Sequence, residues 1–230
     1  MKTPVACRLS LIFAADEPVT VVLRRGPSKW VEVVKWDTAK DLFEEGQWFH
    51  GRIYEERCGL SPDGNLFVYF AAKYGGSKSR GYEDTYTAVS KPPYLTALAM
   101  WPEGSTWGGG GRFIDNKTLR LAYGANGTRT PLNGNTEISM THMPKHHPNH
   151  PPRGLKIETD LDFYDPGRAF RTADTIIGTD WSGKDHSGRV IRARGGALFY
   201  VNRNDNEVLL RNFNADERRE MAAPKWAQTW

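Results

Sequence analysis

Short apolar runs separated by polar reversals recur along the whole chain. "RLSLIFA" (Arg8–Ala14) and "VTVVLRR" (Val19–Arg25) come first, and "WVEVVKWD" sets Val31, Val33 and Trp36 against polar neighbours, with Val34 breaking the alternation. Runs of this length, rich in Val, Ile, Phe and Trp, predict β-strands. In "GLSPDGNLFVYFAAKY" the reversal is Pro62-Asp63-Gly64-Asn65, where Gly64 is free to adopt a positive φ. The run Leu66–Ala72 after it is continuously apolar, so it is expected to be buried on both faces. Asp115-Asn116-Lys117 divides "GGRFI" from "TLRLA", and "GLKIETDLDFYDPG" alternates before closing on Asp165-Pro166-Gly167. "GRVIRARGGALFYVNRNDNEVLLRNF" reads as three consecutive strands with reversals at Arg194-Gly195-Gly196 and at Asn202–Asn206.

The strong reversals fall near positions 26, 63, 115, 166 and 204. Their spacing of about 40 to 50 residues is the blade period of a propeller. The fold expected is therefore all-β: a small five-bladed β-propeller over residues 1–213, with a two-sheet β-sandwich as the alternative. The segment "LSPDGNLFVYF" resembles the hairpin of bacterial β-propellers, and "DHSGRVIRARGGALFYV" is similar to the blade pattern in which a D-x-x-G turn leads to G-x-L-F. "LRRGPSKWVEVVKWD", "GQWFHGRIYEERCGLSPDG", "SKPPYLTALAMWP" and "APKWAQTW" resemble segments of a scattered family of uncharacterised bacterial, propeller-like (WD-repeat-like) proteins. The chain also resembles, in no single motif, a small accessory protein of type III-E CRISPR systems. The resemblance to the uncharacterised family implies no activity and supplies no catalytic residues, and the second resemblance implies an accessory subunit.

Residues 214–230 form a separate tail. "NADERREMAAPKWAQTW" predicts a helix over Ala215–Ala222, with Asn214 as N-cap, Asp216 and Glu217 in the first turn, and Pro224 as terminator. Trp226 and Trp230 follow it, and are expected either to dock on the body or to anchor a partner, docking being favoured.

Composition agrees with a packed β protein. The chain has 230 residues, 39% hydrophobic and 25% charged, with 23 Gly and 8 Trp. A net charge of +4 is too small and too evenly spread to mark a nucleic-acid or acidic partner. Cys7 and Cys58 make no C-x-x-C pair, which favours a reducing, cytoplasmic setting. No apolar run approaches a membrane span, and "LSLIFAA" reads as the first strand rather than a signal segment.

Candidate chemistry is sparse. His142, His146, His147 and His150 lie within "THMPKHHPNHPPRG". Two imidazoles four residues apart on a helix suit zinc, but Pro144, Pro148, Pro151 and Pro152 exclude a helix, and no Cys or carboxylate lies within the run. A Pro-stiffened polar loop is the expectation; a pH-sensitive or partner-binding loop is a further reading. "TWGGGGRF" lacks the Gly-Lys-Ser/Thr ending of a phosphate loop and runs into a strand. Lys78 and Arg80 lie among Gly and Tyr, a pattern that also suits single-stranded nucleic acid, although Glu83 and Asp84 follow at once. Asp160, Asp162 and Asp165, or Asp180 and Asp185, are the candidate carboxylates for glycoside chemistry or calcium, and the spacing of the first three matches no calcium loop.

The expected function is protein binding without catalysis or cofactor, through Trp226, Trp230, Lys78, Arg80 and Trp107. One rival is a carbohydrate-binding propeller using Trp30, Trp36, Trp48, Trp107 and Trp181, against which the lack of a residue-level repeat counts. The other is a metal-dependent hydrolase combining the His142–His150 run with Asp160 or Asp162.

Overall fold

A computed structural model describes residues 6–27, 29–75, 84–106, 108–122, 155–160 and 179–230. Among these the protein is all-β, with sixteen strands in four sheets, none closed on itself. Sheet one is an antiparallel meander of β1 (Arg8–Phe13), β2 (Val19–Arg25), β3 (Trp30–Asp37) and β4 (Leu42–His50). In sheet two, β5 (Arg52–Ile53) and β6 (Gly59–Leu60) share one edge of β7 (Phe67–Ala72), followed by β8 (Thr85–Ser90) and β9 (Ala99–Pro102). Sheet three pairs β10 (Gly111–Asp115) with β11 (Thr118–Ala122), and β11 runs parallel to β12 (Lys156–Asp160). Sheet four is a second meander, of β13 (Trp181–Lys184), β14 (Val190–Arg194), β15 (Ala197–Val201) and β16 (Glu207–Asn212).

The sheets stack face to face, and the sequence of each strand records it. Val21, Leu23, Val31 and Val33 of sheet one pack with Ile53, Phe67, Tyr69, Ala71 and Ala88 of sheet two. Their neighbours Leu9, Leu11, Val22, Val34 and Trp36 point the other way, into Ile191, Ala193 and Leu198 of sheet four. Sheet one is thus covered on both faces, which explains why Val34 breaks the alternation of β3: both registers of the strand are interior. Sheet two is covered on its second face as well, where Val68 and Val89 meet Leu119, Leu121 and Leu155. All six residues of β7 are buried, as its continuous apolar run predicts. Burial of each large apolar side chain contributes roughly 1.5–3 kcal/mol.

The tight turns follow the residues expected to make them. Gly64 has φ +70° and donates its N–H to Ser61 O. Gly195 and Gly196 both have positive φ between β14 and β15.

The C-terminal segment departs from expectation: Ala215–Ala222 is not helical. An isolated helix of eight residues is marginal on propensity alone, and "ADERREMA" offers no apolar stripe to bury. Its groups are directed elsewhere. Asp216 Oδ2 accepts from Arg211 at 2.9 Å, Met221 O accepts from Gln47 Nε2 at 2.8 Å, and Arg218 lies over the Trp30 ring at 4.5 Å. The only helical turn of the tail is a three-residue 3-10 turn, Lys225–Ala227.

Candidate functional site

The C-terminal segment runs from the end of β16 across β4 and onto the loop after β8. It is seated by small residues: Ala223 is 6% exposed and Ala227 is fully buried. Gln47, on β4, fixes both sides of the seat, donating to Met221 O at 2.8 Å and accepting from Leu95 N–H at 2.7 Å. Lys91 Nζ donates to Trp226 O at 3.0 Å, and Gln228 Nε2 donates to Ala223 O.

With the alanines turned inward, the tryptophans face outward. Trp226 is 53% and Trp230 40% exposed. Trp226 is held edge-on to Tyr94, with centroids 5.6 Å apart at 79°. Tyr94 Oη in turn lies 3.4 Å from Glu44 Oε1, and burial with that carboxylate raises the phenol above its ordinary pKa. The docking favoured for the two indoles is therefore not what the structure shows: Trp226 and Trp230 stay exposed, and the tail is seated through its backbone and alanines instead.

Lys78, Arg80 and Trp107 lie outside the described residues, as do His142, His146, His147 and His150, together with Asp162 and Asp165. Asp160 ends β12. Among the described residues no group of three His, Cys, Asp or Glu is placed to hold a metal ion, and no helix is long and apolar enough to cross a membrane.

Asp185 is structural. Its side chain is buried and accepts from Ser187 N, Ser187 Oγ and Arg189 N through Oδ1, and from Arg189 Nε at 2.7 Å through Oδ2. Burial opposes its charge, but the hydrogen bonds from Arg189 and Ser187 outweigh it and hold the carboxyl below its ordinary pKa. Arg189 also clasps both Asp41 oxygens at 2.9 Å and donates to Thr38 O at 2.7 Å, tying sheet four to the β3–β4 turn.

The tryptophans of the carbohydrate reading are not all surface residues, and Trp107 lies outside the described ones. Trp36 is 0% exposed and stacks on Phe43 inside the core, so it is unavailable to a sugar. Trp181 packs against Phe13 in the same core, and Arg24 lies over Trp48 at 5.0 Å.

The glycine run is a close approach rather than a cradle. Gly109 and Gly110 have φ of +95° and +92°, and a Cβ on either would collide with the Phe70 ring or with Arg57. Arg57 donates to Thr106 O and Gly108 O, and its guanidinium lies over Tyr54 and Phe70.

No family model, curated protein or solved structure matches this chain.

One group escaped the sequence reading. Glu32, on β3, is only 1% exposed, and its Oε2 has no hydrogen-bond partner among the described residues. In sequence it is one polar residue of an alternating strand; its burial arises because the C-terminal segment and sheet four cover that face. Burial, reinforced by Asp216 and Glu45 and opposed by Arg211 and Arg24, pushes its carboxyl up to about 8.

Proposed function

We propose that the protein is a non-enzymatic interaction module that presents the Trp226–Tyr94 pair and Trp230 to another protein, as an accessory or regulatory subunit of a larger assembly. The observation that carries this reading is two half-exposed indoles on a segment fixed by buried alanines and backbone hydrogen bonds. Large aromatic side chains pre-positioned in this way supply contact area at low entropic cost, which is how interface hot spots are built. Two large indoles left half-exposed on one anchored segment favour a surface that a partner covers.

The finer fold reading is a small five-bladed propeller, in which the four described sheets, β1–β4, β5–β9, β10–β12 and β13–β16, supply four of the five blades. What supports it is the order of stacking: the last sheet packs on the first, with β1 touching β13 and β14, and β6 touching both β1 and β10. The alternative is a layered sandwich, with which each facing pair of open sheets also agrees.

The test is affinity purification of the full chain from its native cell, beside a Trp226→Ala/Trp230→Ala variant, with quantitative mass spectrometry. One stoichiometric protein held by the wild type and lost from the variant is expected. Equal recovery with both chains would reject the proposed surface. Absence of any protein partner, together with glycan binding that needs Trp226, would move the reading to carbohydrate.

A further inference from the structure

We propose that residues 214–227 form a proton-held latch, closed over sheet one while Glu32 keeps its proton and loosened when that proton is lost. The geometry begins with the cross-strand neighbours of Glu32, which are Arg24 on β2 and Trp48 on β4. Arg24 attracts the Glu32 charge but directs its own hydrogen bonds elsewhere. Its Nε donates to Phe213 O at 3.2 Å, its second donor goes to Gly26 O at 2.7 Å, and its guanidinium lies over Trp48.

The charges around Glu32 come from every packed element. Asp216 lies on the latch itself, Glu45 on β4, Arg211 on β16 and Arg24 on β2. Arg211 is divided between Glu45 and Asp216, 2.9 Å from each. With Glu32 protonated, two carboxylates face two guanidiniums. Ionisation makes it three against two in a covered site. Arg219 approaches Glu45 at 3.8 Å but is 73% exposed, so solvent screens it. Cys7 lies beside Arg24 and Asp216, and burial raises its thiol above the ordinary value. His50 lies tilted against Trp30, the ring that Arg218 of the latch covers.

The latch is the element able to yield. Positions 217–220 are exposed, and its seat consists of the Asp216–Arg211 pair, the Gln47 and Lys91 hydrogen bonds, and two alanines. Opening it lets water reach Glu32 and separates Asp216 from the other carboxylates. The sign follows from linkage. A carboxyl whose closed-state pKa is raised binds more protons closed than open, so the closed state weakens as pH rises from the ordinary carboxyl range and levels off above the raised value, about 8.

The experiment is hydrogen–deuterium exchange of the full chain from pH 5 to pH 9, with protection factors corrected for intrinsic exchange. Protection of the 214–227 amides is expected to fall by up to about tenfold per pH unit to pH 8 and then level off. In Glu32→Gln it is expected to stay flat. A pH-independent wild type, or an equal fall in Glu32→Gln, overturns the latch. His50→Gln and Cys7→Ser are expected to retain the fall; its loss in either assigns the titration elsewhere and also overturns it. If Glu32→Gln does not fold, Glu45→Gln is expected to make the fall level off at lower pH, since Glu45 helps to raise the Glu32 carboxyl, and an unmoved fall overturns the proposal. None of these readings requires a partner, so the latch fails or stands independently of the binding surface.

Discussion

Trp226 meets Tyr94 edge-on at 5.6 Å, and this contact joins the C-terminal segment to the loop after β8. Both rings keep one side in solvent, so the pair differs from the buried Trp36–Phe43 stack at 5.5 Å, which fills the interface between sheets one and four. Replacing Trp226 and Trp230 by alanine is accordingly expected to change global stability by less than about 1 kcal/mol, since surface positions rarely cost more. Trp36→Ala is expected to cost roughly 3–5 kcal/mol through the cavity it leaves. Chemical denaturation of the two variants checks the contrast.

Arg189 is expected to matter more than its surface position suggests. Its removal leaves the Asp185 carboxylate buried and frees Asp41 and Thr38 O from sheet four. Arg189→Ala is expected to destabilise the fold by about 3–5 kcal/mol, the cost typical of stranding one half of a buried pair. A loss under 1 kcal/mol in urea unfolding would show that water replaces the guanidinium.

Stability is expected to peak on the acid side of neutrality. Asp185, held below its ordinary pKa, contributes stability that is present above the unfolded carboxyl value and lost as pH falls through the depressed one. Glu32 acts in the opposite sense, losing its contribution as pH rises from 4.5 to about 8. Melting temperatures recorded from pH 3 to pH 9 are expected to show both limbs, with Asp185→Asn flattening the acid one and Glu32→Gln the other.

Gly109 and Gly110 are expected to tolerate no side chain. Both combine a positive φ with a collision at the Cβ position, against Phe70 and Arg57 respectively. Alanine at either position is expected to cost roughly 1–3 kcal/mol. Gly188→Ala, with open space around its Cβ and a φ of +82°, is expected to show the conformational strain alone. Thermal unfolding of the three variants separates the two contributions.

Much of the strand content was legible in the sequence because short-range pattern decides it. The runs at β1, β2, β3, β7, β10, β11, β14, β15 and β16 lie where apolar residues and turn glycines place them. The N-terminal half of β4, "LFEEG", was not legible. Its polar residues Glu44 and Glu45 lie on an exposed edge strand, where neither face imposes alternation. The C-terminal helix failed for a related reason. Capping residues and propensity are local, while Asp216, Arg218 and Met221 are held by Arg211, Trp30 and Gln47 from distant parts of the chain. Trp226 was readable as a candidate from its place in the tail, but its contact with Tyr94 links positions 132 residues apart (226 − 94) and leaves no local signature. Glu32 gave no signal at all, because its burial comes from sheet four and the tail rather than from its own strand.

The most direct test of the binding surface is photo-crosslinking in the native cell, with a benzophenone side chain placed at position 94 or 226 and, as control, at Asp205 in the exposed β15–β16 turn. One discrete protein adduct is expected from positions 94 and 226 and none from 205. Adducts at 205 with none at 94 or 226 would contradict it and place the working surface elsewhere on the molecule.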